Sequence, residues 1–221
     1  MMNTLAVDCS YKSLLVHVEM NNEVLSLLLD RDKTGCSFNV PKVFSDFVLK
    51  NDIDLTQLDL IINSSGPGSF TSLRIGLSFI KGLSLGLSIP FVNIPTFDVF
   101  ANLVSKRSGV VTLSFTAYKY FFGYYTCYKF CDELFCFSEE ELLEHLERLD
   151  SNFVIIGYGI EFIYEKLKNK FNIVSDMSSF GEILTELGKH KYLKNKRGDD
   201  ILSGPFYVRR SDAEINYSLV K

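Results

Sequence analysis

Gly66-Pro67-Gly68-Ser69-Phe70-Thr71-Ser72-Leu73-Arg74-Ile75-Gly76 follows an apolar stretch, Leu58 to Ile62, and opens a long apolar segment that ends at Pro90. The order is that of a buried strand, a tight turn and a helix. Glycines on both sides of a proline suit such a turn, and Ser69 or Thr71 is placed to cap the helix start. Backbone amides at a strand–turn–helix junction point toward whatever lies above it, so the geometry alone would suit a phosphate.

The helix that follows argues for docking instead. At about 100° per residue, Leu73, Leu77, Phe79, Ile80, Leu83 and Leu87 fill a broad apolar arc that must face a core. Beside it runs a stripe of small residues, Ser78, Gly82 and Gly86, joined by Ile75. Arg74, Lys81 and Ser88 leave only a narrow polar band. Each glycine inside a soluble helix costs about 1 kcal/mol against alanine, so close approach by another backbone is the expected compensation. That backbone is either the helix expected at Val40–Lys50, which carries Val40, Val43, Phe44, Phe47 and Val48 on one face, or a second protein.

Outward from this centre the chain repeats itself. Leu5–Cys9, Leu14–Met20 and Val24–Leu29 read as strands, with Asn21-Asn22 as a hairpin turn between the last two. Then come the helix at Val40–Lys50, the strand before the glycine turn, the long helix to about Ser88, and a strand at Phe91–Ile94. In the second half Val110–Phe115, Phe121–Tyr128 and Leu134–Phe137 read as strands. A capping box at Ser138–Glu141 opens a helix to Leu149, and Phe153–Ile156 is followed by a glycine turn and a helix at Phe162–Leu167. A βββαβα unit occurring twice predicts a duplicated α/β architecture with mixed sheets. The expected lobes are 1–105 and 106–221, meeting at Ser105–Gly109.

The totals narrow the function. A formal charge of -4 and a pI near 5.5 argue against a protein that grips nucleic acid unaided. The local exception, Lys189, Lys191, Lys194, Lys196 and Arg197, suits either a solvated helix end or an RNA contact. The cysteines, at 9, 36, 127, 131 and 136, form no Cys-x-x-Cys pair, and a reducing cytosol is the expected compartment. Asp8 interrupts the first apolar run, so no signal peptide is expected. The Leu73–Leu87 segment carries charges and glycines, which makes it a poor membrane span.

The glycine-turn run resembles the most specific motif of the TsaB (YeaZ) family, with Ser72 where glycine is usual. Leu5-Ala6-Val7-Asp8-Cys9-Ser10 is similar to that family's opening strand and turn, with Cys9 in place of threonine. Pro205-Phe206-Tyr207-Val208-Arg209-Arg210 resembles an element near its C-terminus. Thr116-Ala117-Tyr118 stands where the family often has Asp-Ala-Arg. The resemblance implies a duplicated actin-like, Hsp70-like fold. It also implies a non-catalytic scaffold that pairs with the related catalytic subunit TsaD through the two helices of the first lobe. On this chain that surface would be Val43, Phe44, Phe47, Arg74, Ser78, Lys81, Gly82 and Gly86. The motif turn would be Asp8, Gly66, Pro67, Gly68, Ser69, Phe70 and Thr71. With the ATPase TsaE, such an assembly transfers threonylcarbamoyl to N6 of adenosine 37 in tRNAs that read codons beginning with A. The chain would touch tRNA only within the complex, in the cytoplasm, and an apolar helix pair makes a homodimer plausible when the partner is absent.

No cofactor, metal or catalytic residue is expected. The catalytic relatives use a His-x-x-x-His pair, whereas this chain has only His17, His145 and His190, far apart in sequence. Actin-like ATPases usually carry a glycine beside the first aspartate, and here Asp8 is followed by Cys9-Ser10-Tyr11. Asp8 is therefore expected to accept hydrogen bonds from the hairpin turn. No Gly-x-Ser-x-Gly elbow is present. The alternative reading is an actin-like ATPase or phosphotransferase acting by itself.

Overall fold

The computed structural model describes residues 2–30, 39–104, 109–116, 119–126 and 129–208. The first lobe begins with β1 (Thr4–Asp8), β2 (Ser13–Met20) and β3 (Glu23–Asp30). Asn21 and Asn22 both adopt positive φ, 53° and 67°, which is the turn that matches strand twist in a two-residue hairpin. Helix α1 (Val40–Lys50) starts at Asn39, whose side chain accepts from the amide of Lys42. Strand β4 (Leu60–Ser64), helix α2 (Phe70–Leu87), β5 (Phe91–Ile94) and α3 (Thr96–Leu103) complete the unit.

The second lobe repeats this order: β6 (Val110–Thr116), β7 (Lys119–Thr126), β8 (Lys129–Phe137), α4 (Glu139–Glu147), β9 (Val154–Tyr158), α5 (Glu161–Leu167), β10 (Asn172–Val174) and α6 (Phe180–Asn195). Its sheet runs β8-β7-β6-β9-β10, element for element the order β3-β2-β1-β4-β5 of the first. In each sheet the central strand pairs antiparallel to the hairpin on one side and parallel to the crossover strand on the other. This is the duplicated actin-like α/β fold. The repeating unit is βββαβαβα, one strand and one helix longer than the βββαβα unit that periodicity alone suggests. α3 and β10 are short, eight and three residues, and α6 carries little amphipathic signal along its length.

Three apolar clusters fill the molecule. The central one joins the inner faces of both sheets (Leu15, Ile62, Val110, Ile156) through α3 and α6 (Phe97, Phe100, Phe180, Leu184). A second lies between the outer face of the first sheet and α1 and α2. The third fills the same place in the second lobe, under α4 and α5. The capping box expected at Ser138 is formed, with Ser138 and Glu141 bonding each other's amides. The lobe boundary expected at Ser105–Gly109 falls mostly on 105–108, outside the described residues. So do Cys36, Cys127, Ala117, Tyr118, Arg209 and Arg210.

Candidate partner-docking face and the turn beneath it

The glycine turn is a buried structural joint. Gly66 adopts φ +109°, a conformation open to glycine, and the Gly66–Pro67 bond is cis. A Cβ on Gly68 would stand 1.9 Å from the carbonyl oxygen of Ser10, so only glycine permits this approach. The amide of Ser69 donates to that same carbonyl at 2.7 Å. Thr96, at the start of α3, locks the other side: its amide donates to the Gly66 carbonyl, and its hydroxyl accepts from the Gly66 amide. The side-chain cap expected from Ser69 or Thr71 is not made. Ser69 is the cap residue by position, but its hydroxyl accepts from Ser72 instead.

The C-terminal segment closes over the joint. The Phe206 amide donates to the carbonyl of Ser65, and Tyr207 stacks on Phe70 with ring centroids 4.8 Å apart. Arg74 lies over the Phe70 ring and donates from Nε to the Tyr207 hydroxyl. Lys81 Nζ donates to the carbonyl of Ser203 at 2.6 Å. Upstream, Asp199 accepts from Lys191 and from the Asn93 amide, which pins this segment along the edge strand β5. Thr96 and Asp199 are positioning residues that sequence reasoning missed. Their signal is non-local and has no spacing of its own.

Asp8 is fully buried. Its carboxylate accepts from the Ser10 amide at 3.0 Å, as the sequence suggested, and from the Tyr158 hydroxyl at 3.2 Å. Desolvation raises its pKa above the ordinary carboxylate range, partly offset by hydrogen bonds from Ser10, Ser64 and Tyr158. The Tyr158 phenol is pushed up in turn by burial and by the neighbouring carboxylate. The histidines stand apart: His17 bonds Ser26 on β3, His145 bonds Tyr124, and His190 is exposed on α6. Among the described residues no three His, Cys, Asp or Glu side chains converge as metal ligands.

The expected docking surface divides in two. Phe44 and Phe47 turn inward, 4% and 8% exposed, and belong to the core beneath α1. This corrects their placement on the surface: on an amphipathic helix the large aromatics take the sheet side. Val43 is half-buried beside them. Arg74 and Lys81 are engaged by this chain's own C-terminal segment. What stays open is a stripe along α2: Thr71, Ile75, Ser78, Gly82, Leu85 and Gly86. Ile75 is 44% exposed and Leu85 67%. Nothing lies within 4 Å of a Cβ built on Gly82 or Gly86, so α1 is not the backbone that these glycines admit. The close approach falls instead on Gly76, where a Cβ would stand 3.0 Å from the Cβ of Cys9. Of the basic stretch, Lys189 pairs with Glu19 and Lys191 with Asp199, so part of it serves packing.

Comparison with known proteins places this architecture. A family profile described as "TsaD: tRNA N6-adenosine threonylcarbamoyltransferase" matches residues 37–114. The tRNA threonylcarbamoyladenosine biosynthesis protein TsaB of Buchnera aphidicola subsp. Baizongia pistaciae is 34% identical over 79 residues, 33% of this chain and 36% of that protein. The match thus spans little more than a third of that relative's length. The TsaB of Buchnera aphidicola subsp. Acyrthosiphon pisum is 23% identical over 183 residues, 80% of this chain and 77% of the relative. Among solved structures, YeaZ from Pseudomonas aeruginosa superposes with a TM-score of 0.70 at 16% identity, covering 94% of this chain and 100% of that one. Among the described residues no helix is long and apolar enough to cross a membrane.

Proposed function

We propose that the chain, which is similar to TsaB and YeaZ proteins in sequence and fold, is a member of that family and acts in tRNA threonylcarbamoyladenosine biosynthesis as a non-catalytic scaffold. In this reading it binds a TsaD-type catalytic subunit through α2 and the exposed edge of α1, with TsaE and tRNA joining only the assembled complex. The observation that carries the reading is the open face of α2. Gly82, which costs about 1 kcal/mol in the helix interior, and Gly86 in the last turn have nothing within 4 Å of a built Cβ and lie beside exposed Ile75 and Leu85. A bare stripe of this kind admits another backbone at close range. The sealed Asp8 supports the non-catalytic part, since both carboxylate oxygens are engaged within the chain and none is open to a ligand.

The reading is tested in two steps. Gly82→Trp or Gly86→Trp should abolish co-purification with the TsaD-type subunit while the isolated chain stays folded. Depletion of the chain should lower threonylcarbamoyladenosine in tRNA hydrolysates, restored by the wild-type chain and not by either tryptophan variant. Unchanged nucleoside levels on depletion would remove the functional assignment and leave only the fold.

A further inference from the structure

The two lobes meet through the central core, but their packing is interrupted. Where the hairpin β2–β3 faces the start of α6 they part around a cavity of about 540 Å³, lined by Leu15, Ser26 and Leu28 from one side and by Glu161, Met177 and Ser178 from the other. Apolar contact is therefore incomplete at this end of the cleft, and polar ties carry the closure. Tyr158, at the end of β9 in the second lobe, donates its hydroxyl to Asp8 at the end of β1 in the first. Its ring stacks on Tyr11, in the turn between β1 and β2, at 4.9 Å between centroids and 6° between planes. The same ring packs edge-on to Phe100 of α3 and beside Phe180 of α6. One side chain thus touches both lobes and both middle helices. On the other flank of the cavity, α6 closes on β2: a Cβ at Gly181 would stand 2.7 Å from His17, and Lys189 pairs with Glu19.

We propose that Asp8, Tyr11 and Tyr158 form a clasp that locks the lobes in one closed arrangement across this cleft. The clasp makes the chain a single rigid body. A partner held on α2 is then fixed relative to the second lobe as well as the first. The inference stands on the fold and does not depend on the docking reading. An interlobe hydrogen bond to a carboxylate and an aromatic stack each stabilise the closed form by about a tenfold factor in the open–closed equilibrium.

The test is the distance between lobes, read by pulsed electron resonance. Spin labels are carried on bioorthogonal residues at Lys50 of α1 and Glu144 of α4, both exposed, so the native thiols stay in place. The wild-type chain should give one narrow distance. The double variant Tyr11→Ala/Tyr158→Phe should add a longer-distance population, with an open share at least tenfold above wild type. Tyr158→Phe alone keeps the ring, guards against misfolding, and should open less. Asp8→Asn keeps an acceptor for Ser10 and a polar partner for Tyr158, and should stay narrow. A folded double variant with the wild-type distribution would overturn the clasp, and so would one whose melting temperature falls while its distance does not change.

Discussion

Removing both glycines from the open face of α2 separates folding from docking. Gly82 lies in the interior of α2 and Gly86 in its last turn, one residue before Leu87, and a Cβ at either position meets nothing within 4 Å. With no steric cost, Gly82→Ala/Gly86→Ala should recover about 1 kcal/mol at Gly82 from helix propensity and less at Gly86, or about 1–2 kcal/mol together. For a chain of this size that raises the melting temperature by roughly 2–8 °C. The assay is thermal unfolding of the isolated chain at several concentrations, so that self-association through the same face shows as a concentration-dependent midpoint. Affinity for the TsaD-type subunit, measured by titration calorimetry, should move the other way, because two added methyl groups hold the partner's backbone away. A melting temperature that falls would mean that part of this chain already packs on the stripe, and the argument from open space would fail. A stabilised variant with undiminished affinity would place the partner elsewhere.

Other expectations follow from single contacts. Gly68→Ala drives a Cβ into the Ser10 carbonyl and should cost about 3 kcal/mol or more in urea unfolding, since backbone and not a mobile side chain must yield. Asp8→Asn tests the buried carboxylate through pH. A raised native pKa means the folded chain keeps a proton that the unfolded chain releases above 3.8, so wild-type stability falls as pH rises from there to the native value and stays reduced above it. The asparagine variant should lose that fall, gaining on wild type at neutral pH and not at acid pH in parallel melts. Tyr207→Ala removes the stack on Phe70 and the partner of Arg74, and should make the segment after Asp199 sensitive to limited proteolysis with a melting change worth about 1 kcal/mol.

Elements whose chemistry is local were legible in the sequence. The Asn21-Asn22 turn, the Ser138 capping box and the strand at Phe91–Ile94 each depend on neighbours a few residues away, and each is found where expected. Helix α6 was not legible. It lies between two sheets, and Gly181 and Gly188 interrupt its apolar stripe because His17 and Ile62 press against them. Helix α3 spans eight residues, little more than two turns, which is too short for its period to stand out. The candidate docking face was legible only in part. That a glycine in a helix marks a close approach was sound reasoning, but which glycine meets which backbone is a long-range fact. Gly68 and Gly76 meet this chain, while Gly82 and Gly86 do not. Phe44 and Phe47 were read as surface because hydrophobicity alone does not say which side of a helix another element covers.

The three stretches that carry the family resemblance are far apart in sequence and touch in space: Ser10 against Gly68, Cys9 against Gly76, and Tyr207 against Phe70. Their common work is to set the height and direction of α2. Gly76 makes this testable, since on a helical wheel it lies about 160° from Ser78 and about 120° from Gly82, and it is buried where they are exposed. Gly76→Ala would put a methyl 3.0 Å from the Cβ and 3.1 Å from the Sγ of Cys9. Cys9 is buried and short, with no flexible end to swing aside, so α2 must move outward by a few tenths of an ångström. Stability should fall by about 1 kcal/mol, and affinity for the TsaD-type subunit should fall although no residue of the docking face has changed. Cys9→Ala removes the sulfur and leaves the Cβ, so the double variant should recover part of both losses. A double-mutant cycle reads that recovery as a coupling of at least about 0.5 kcal/mol. If the two substitutions instead add independently in stability and in binding, the turn does not aim the helix, and the docking face owes its placement to something else.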